Sequence, residues 1–281
     1  MVGGVLVGKY QLTAHLQPGR FGDFWEGRRL SDHGRVAIKL LKPQLFEDPR
    51  AVARFERETR LLVSFQHENL LQVLDHGRTH TGVPWLVTEL RAGRLLSDEI
   101  ADLTLTVEQV RHIGAQIASV LSAAHQRGVV HRGLDPEAIL LVNEGGDPHR
   151  VKMQDFGLAH LSYSVGQPTL TMQGERLGAF EYMAPEYIEE EVLDVRTDLY
   201  ALGVILFEML AGQPPFVGRP GEVMRKHIYE QPWAPSDLSE QEIPRWLDML
   251  ILTLLAKDPQ ARPASGETVA VALRTEAWPL R

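Results

Sequence analysis

The chain has 281 residues, a formal net charge of −8, 44% apolar and 23% charged residues, and no cysteine. That is a soluble globular composition, long enough for one large domain or two lobes sharing an interface, and it excludes disulfides, thiolate zinc sites and thiol catalysis. The acidity and the lack of a basic stripe argue against a nucleic-acid partner. The longest apolar run, residues 201–207, falls far short of the ~20 residues that span a bilayer.

In chain order, residues 10–41 read as three strands: Tyr10–Gln17, a turn at Pro18-Gly19, the segment Phe24–Gly27, and the alternating, β-rich Arg35–Leu41. Residues 49–65 read as a helix with Val52, Phe55, Leu62 and Phe65 on one side. Thr79–Pro84 is a turn and Trp85–Leu90 a strand. Thr106 to Gln109 has the form of a capping box, and Val110, Ile113, Ile117, Val120, Leu121 and Ala124 follow at helical spacing up to Gly128. Glu144–Arg150 reads as a polar turn before a short strand at Val151–Met153. Residues 158–182 lack strong periodicity. Asp194–Ala211 reads as a buried helix, with further helices at Val223–Tyr229, Arg245–Leu255 and Thr268–Leu273. No cationic segment leads into a long apolar core near Met1, and Val2 stands where a myristoylation signal needs glycine, so a cytoplasmic protein with no membrane partner is expected.

Several short motifs lie along this frame. Leu16–Trp25 holds Gly19 and Gly22, Val36-Ala37-Ile38-Lys39 ends the third strand, and Glu58 lies on the first long helix. His131-Arg132-Gly133-Leu134-Asp135-Pro136-Glu137-Ala138 follows the second long helix, then Asp155-Phe156-Gly157 and Met183-Ala184-Pro185-Glu186. Taken singly, these read equally as a hairpin turn, a solvated strand-end lysine, an exposed helix charge and chance matches. In this order and on these element types they resemble the protein kinase family, its serine/threonine, bacterial-type branch, over about residues 10–275.

The resemblance implies an α+β, bilobal fold: an antiparallel sheet with one helix over residues 1–90, and a mainly helical lobe over 91–281. It implies ATP contacts at Gly19, Gly22, Phe24, Ala37, Lys39, Glu58, Thr88, Glu89, Leu90 and Leu140. Lys39 would pair with Glu58, Thr88 would stand as gatekeeper, Ala37 and Leu140 would sandwich the adenine, and Asp155 would bind one Mg²⁺. Asp198 would hold the catalytic-loop backbone, and Arg262 would pair with Glu186.

The sequence departs from the family where the chemistry is done. The base Asp is Gly133, the phosphate-facing Lys is Asp135, and the second metal-binding Asn is Ala138. Losing a positioned base removes ~10²–10⁴ in rate, about 3–5 kcal/mol. Reversing a unit charge ~6 Å from a phosphate swings roughly 5 kcal/mol at most. These losses serve one site and do not add. The reading is a pseudokinase that binds ATP and one Mg²⁺ and regulates a partner protein, an active kinase or its substrate. The alternatives are a slow serine/threonine kinase with Asp135 as displaced base, and a nucleotide-free interaction module with Phe24 filling the adenine space. In the segment before Met183, Thr169 and Thr171 are candidate phosphorylation sites. Arg132 is expected to pair either with the fixed carboxylate of Glu175 or with solvent alone.

Overall fold

A computed structural model describes residues 2–18, 22–102, 105–154, 180–189 and 193–279, except the side chains of 17, 18, 54, 57, 58 and 61. These residues divide into two units that meet in sequence between Ala92 and Gly93.

The first unit is built on alternation. Strands β1 (Val5–Leu6), β2 (Tyr10–Pro18), β3 (Gly22–Arg29), β4 (Arg35–Leu41), β5 (Val73–Arg78) and β6 (Pro84–Glu89) form a six-stranded sheet in the order β1-β2-β3-β4-β6-β5, each neighbouring pair antiparallel. Val36 and Ile38 point to one face, where they pack with Tyr10, Leu12, Trp25, Trp85 and Val87. Leu41 and Leu86 belong to the cluster on the other side, with Ala51, Val52 and Phe55 from the long helix α2 (Pro49–Val63). Burying a side chain such as Phe55 contributes ~1.5–3 kcal/mol. The short helix α1 (Pro43–Phe46) carries Leu45 and Phe46 against the same cluster.

Two strands of this sheet are not legible in the sequence. β1 is two residues long, and β5 reads Val-Leu-Asp-His-Gly-Arg, with few β-formers. Tertiary pairing decides both: β5 lies along β6, where Gly77 leaves room for the Trp85 ring.

The second unit begins with β7 (Gly93–Leu95), α3 (Leu96–Ala101) and the helix α4 (Val107–His125), which starts on a complete Thr106/Gln109 capping box. β8 (Ile139–Glu144) and β9 (Asp147–Met153) complete a three-stranded antiparallel sheet β7-β8-β9. The expected polar turn at 144–150 is therefore tighter than the composition suggests. Only Gly145 and Gly146 make it, both at positive φ, and Asp147 already pairs with Glu144 in the ladder. After α5 (Pro185–Ile188), the helix α6 (Val195–Ala211) is apolar nearly all round and buried from Thr197 to Phe207. α8 (Arg245–Leu254) packs closely on it: a Cβ at Gly203 of α6 would stand 2.7 Å from Leu254 Cβ. α7 (Pro220–Tyr229) and α9 (Gly266–Thr275) complete the unit, and Ser265 caps the latter.

Candidate functional site

In the first unit the motif residues lie on β3, β4 and β6. Ala37 and Lys39 share one face of β4; Ala37 pairs with Thr88 of β6, and Lys39 with Phe24 of β3 and Leu86 of β6. Lys39 is 2% exposed, and its Nζ lies 4.8 Å from the centroid of the Phe24 ring. A buried ammonium over an aromatic face gains ~1–2 kcal/mol, so the ring has a reason of its own to hold the lysine there. Gly22 also has a structural reason: a Cβ there would meet the Leu40 carbonyl oxygen at 2.4 Å, so the strand pairing itself requires glycine. Ala37 and Thr88 are half-buried, as are Glu89 and Leu90. The Glu89 carboxylate accepts from the Gln72 amide and from Arg91 Nε. Gly19 and the Glu58 side chain lie outside the described residues, so the Lys39–Glu58 pair is not placed.

In the second unit the stretch 131–138 forms a loop held from below. Asp198 of α6, 1% exposed, accepts from the amides of His131 at 2.7 Å and Arg132 at 2.8 Å, and from His125 Nε2 at 2.7 Å. Burial drives the Asp198 carboxyl pKa up, but the His125 hydrogen bond, the two histidine rings and the amide together hold it below the ordinary carboxylate range. The anion helps to fix a costly backbone shape: Arg132 sits at φ 64°, in the left-handed region that a non-glycine residue occupies at a cost of ~1–2 kcal/mol. His131, fully buried, places its Nε2 3.3 Å from the Gln154 carbonyl, and Leu134 is also buried.

At the three positions where the sequence departs from the resemblance, the structure places the following groups. Gly133 has no side chain. Ala138 is 6% exposed and contributes a methyl group to the interior. Asp135 is the N-cap of a 3-10 turn over Pro136–Ala138, and its Oδ1 accepts from the Ala138 amide at 3.1 Å. Aspartate is among the preferred N-caps, so the turn alone accounts for this residue type. Leu140, half-buried on β8, pairs with Leu95 of β7.

Glu186 and Arg262 meet through two hydrogen bonds of 2.7 and 2.8 Å, and Thr197 donates to the same carboxylate at 2.9 Å. His125 and Glu208 were not singled out by sequence reasoning. His125 sits at the end of α4, where it reads as an ordinary helix C-terminal cation. Glu208 lies in the apolar run of α6, where an acidic residue was the one available signal; it accepts from Tyr182 Oη at 2.6 Å.

Asp155, Thr169, Thr171 and Glu175 lie outside the described residues, so the metal site, the candidate phosphorylation sites and the Arg132–Glu175 pair are not placed. Arg132 Nε is buried with no hydrogen-bond partner among the described residues. Among the described residues no cluster of three His, Cys, Asp or Glu side chains forms a metal site. For the nucleotide, Lys39 supplies the cation that phosphates require, while the Phe24 ring lies against that same amine. Among the described residues no helix is long and apolar enough to cross a membrane.

Residues 10–273 match the model of the protein kinase domain. The chain is 36% identical over 277 residues to the serine/threonine-protein kinase pkn3 of Myxococcus xanthus, covering 97% of this chain and 51% of that protein. It is 33% identical over 271 residues to a probable serine/threonine-protein kinase of Clostridium perfringens, covering 96% of this chain and 38% of the relative. The chain thus spans about half or less of the length of these relatives. Among solved structures, the kinase domain of PknI from Mycobacterium tuberculosis superposes with a TM-score of 0.76 at 28% identity, over 99% of both chains.

Proposed function

The chain belongs to the protein kinase family, and from that premise we propose that it is a pseudokinase: a kinase-fold regulator that binds a partner protein, an active kinase or its substrate, and transfers phosphate poorly or not at all. The carrying observation is the contrast within residues 131–138. Asp198 fixes the loop backbone at His131 and Arg132, while Gly133 and Ala138 offer no polar group and the Asp135 carboxylate caps a turn. Phosphoryl transfer rests on positioning and electrostatics, so a well-positioned backbone without these groups leaves little catalysis.

The cap also favours this reading over the displaced-base kinase. The Asp135 carboxylate is held as a cap on the Ala138 amide of its own turn. The nucleotide part of the proposal rests on Lys39, with Asp155 as the ligand of one Mg²⁺. Phosphate incorporation from ATP tests the main claim: the parent is expected to match its Lys39→Met variant, and transfer that Lys39→Met abolishes overturns it. A melting-temperature rise with ATP, through preferential binding to the folded state, supports the nucleotide part. No rise, with or without Mg²⁺, returns the chain to a nucleotide-free interaction module with Phe24 in the adenine space.

A further inference from the structure

Among the described residues, the exposed aromatic side chains are Tyr229, 71% exposed at the end of α7, and Trp233, 68% exposed just beyond it. Val217 before α7 and Leu238 after Trp233 are also exposed. Local hydrogen bonds hold this stretch in place. Lys226 Nζ donates to the Val217 carbonyl, and the Asp237 carboxylate accepts from the Ala234 amide. Ser236 donates to Asp248 of α8, and the Gln241 side chain donates to the Leu105 carbonyl. A surface already held in shape loses little freedom on binding.

The charges around the two rings are unbalanced in a particular way. Arg219 and Arg225 on one side, and Glu240 and Glu242 on the other, are exposed and form no ion pair among the described residues. Glu222, the carboxylate that Arg225 acts on through space, is already paired with Lys226 at 3.1 Å. Glu230 acts on Lys257 instead. Arg219 precedes the first turn of α7, where the helix dipole disfavours a cation, so the helix gives it no reason to be there. Two cations and two anions without partners thus flank an apolar centre. A two-fold axis makes such a surface complementary to itself, because the arginine side of one copy meets the glutamate side of the other. Trp, Tyr and Arg are also the residue types in which binding energy concentrates.

We propose that residues 217–242 form a self-complementary docking surface through which two copies of this chain pair about a two-fold axis. Tyr229 and Trp233 lie at its centre, and Arg219 and Arg225 of each copy face Glu240 and Glu242 of the other. The pairing stands whether or not the loop transfers phosphate.

The size of the centre sets the strength. Aromatic side chains carry about 150–250 Å² each, so the exposed parts of the four rings in a pair cover on the order of 500 Å². With its charged rim, that is the centre of an interface at the small end of specific contacts, roughly 1,200 Å² in total. Such a contact gives a reversible pair with an affinity on the order of micromolar.

Sedimentation equilibrium of the 281-residue chain tests the pairing. The expected result is a monomer below ~1 µM and a growing share of dimer by ~100 µM, weakened as salt rises from ~0.05 to ~0.5 M. Trp233→Ala and Tyr229→Ala, at exposed positions the fold does not need, should each weaken the dimer by about tenfold or more. Two further variants test the charges. Arg219→Glu with Arg225→Glu leaves only acidic groups at the four positions, and Glu240→Arg with Glu242→Arg leaves only basic ones. Each should be monomeric alone, and an equimolar mixture of the two should form a heterodimer. A parent that stays monomeric up to ~200 µM overturns the pairing and leaves this surface to a different protein partner. A dimer that keeps its strength in both aromatic variants, or charge variants that fail to combine, overturns it as well.

Discussion

Beneath the loop, Asp198 collects three donors, Glu186 meets Arg262 and Thr197, and His227 meets Tyr200. Along the loop itself, Gly133 and Ala138 carry no polar group and Asp135 caps its own turn. The two regions differ in what holds each residue in place. The lower groups are buried, and removing one partner strands another in the interior, a cost that falls on the fold itself. The upper positions cost the fold little when their polar groups are absent. A buried frame can therefore persist beside positions that carry no polar side chain.

The comparison breaks most visibly at Asp198. Asp198→Ala strands two buried amides and the His125 ring, and chemical denaturation should show a loss of ~3–5 kcal/mol. A loss under ~1 kcal/mol would mean that the anion does not hold the loop.

His227 gives the next effect, through pH. Burial, with the nearby Lys257 charge, lowers its pKa from 6.5 to about 3. A base whose folded pKa is depressed contributes stability that is present above pH 6.5 and is lost as pH falls toward about 3. The difference in unfolding free energy between the parent and His227→Gln should shrink over that window by several kcal/mol, on the order of 4. A difference that is constant with pH contradicts a neutral buried His227.

The smallest effect belongs to the loop's upper side. Asp135→Ala removes a cap and should cost ~1 kcal/mol, whereas Asp135→Asn should cost only a few tenths. If the two variants lose equal stability, the carboxylate does more than cap.

The sequence made the strongly patterned parts legible. Alternation placed β4, the Thr106/Gln109 box placed the start of α4, apolar periodicity placed α2, and the buried helix read at Asp194–Ala211 is α6. β1 and β5 escaped because their residues have little strand preference of their own and adopt it only through pairing with β2 and β6. That Gly133 and Ala138 carry no polar group was also visible in the sequence, since an absent side chain can be read directly. The roles of Asp135 and Glu208 were not. A carboxylate looks the same in sequence whether it faces a phosphate, caps a turn or receives a tyrosine hydroxyl, and only its hydrogen-bond partners separate these. Lys39 shows the same limit: its motif was plain, but the Phe24 ring beneath its amine follows from β3–β4 register.

On the proposed reading, the loop keeps its frame and lacks its working groups. The most direct measurement compares phosphate incorporation from ATP by the parent and by a triple variant, Gly133→Asp, Asp135→Lys and Ala138→Asn, each with and without Lys39→Met. The parent should equal its own Lys39→Met control, while the triple variant should exceed the parent by ~10²–10⁴ and lose that gain with Lys39→Met. A parent that transfers phosphate as fast as the triple variant, and loses that transfer with Lys39→Met, would contradict it.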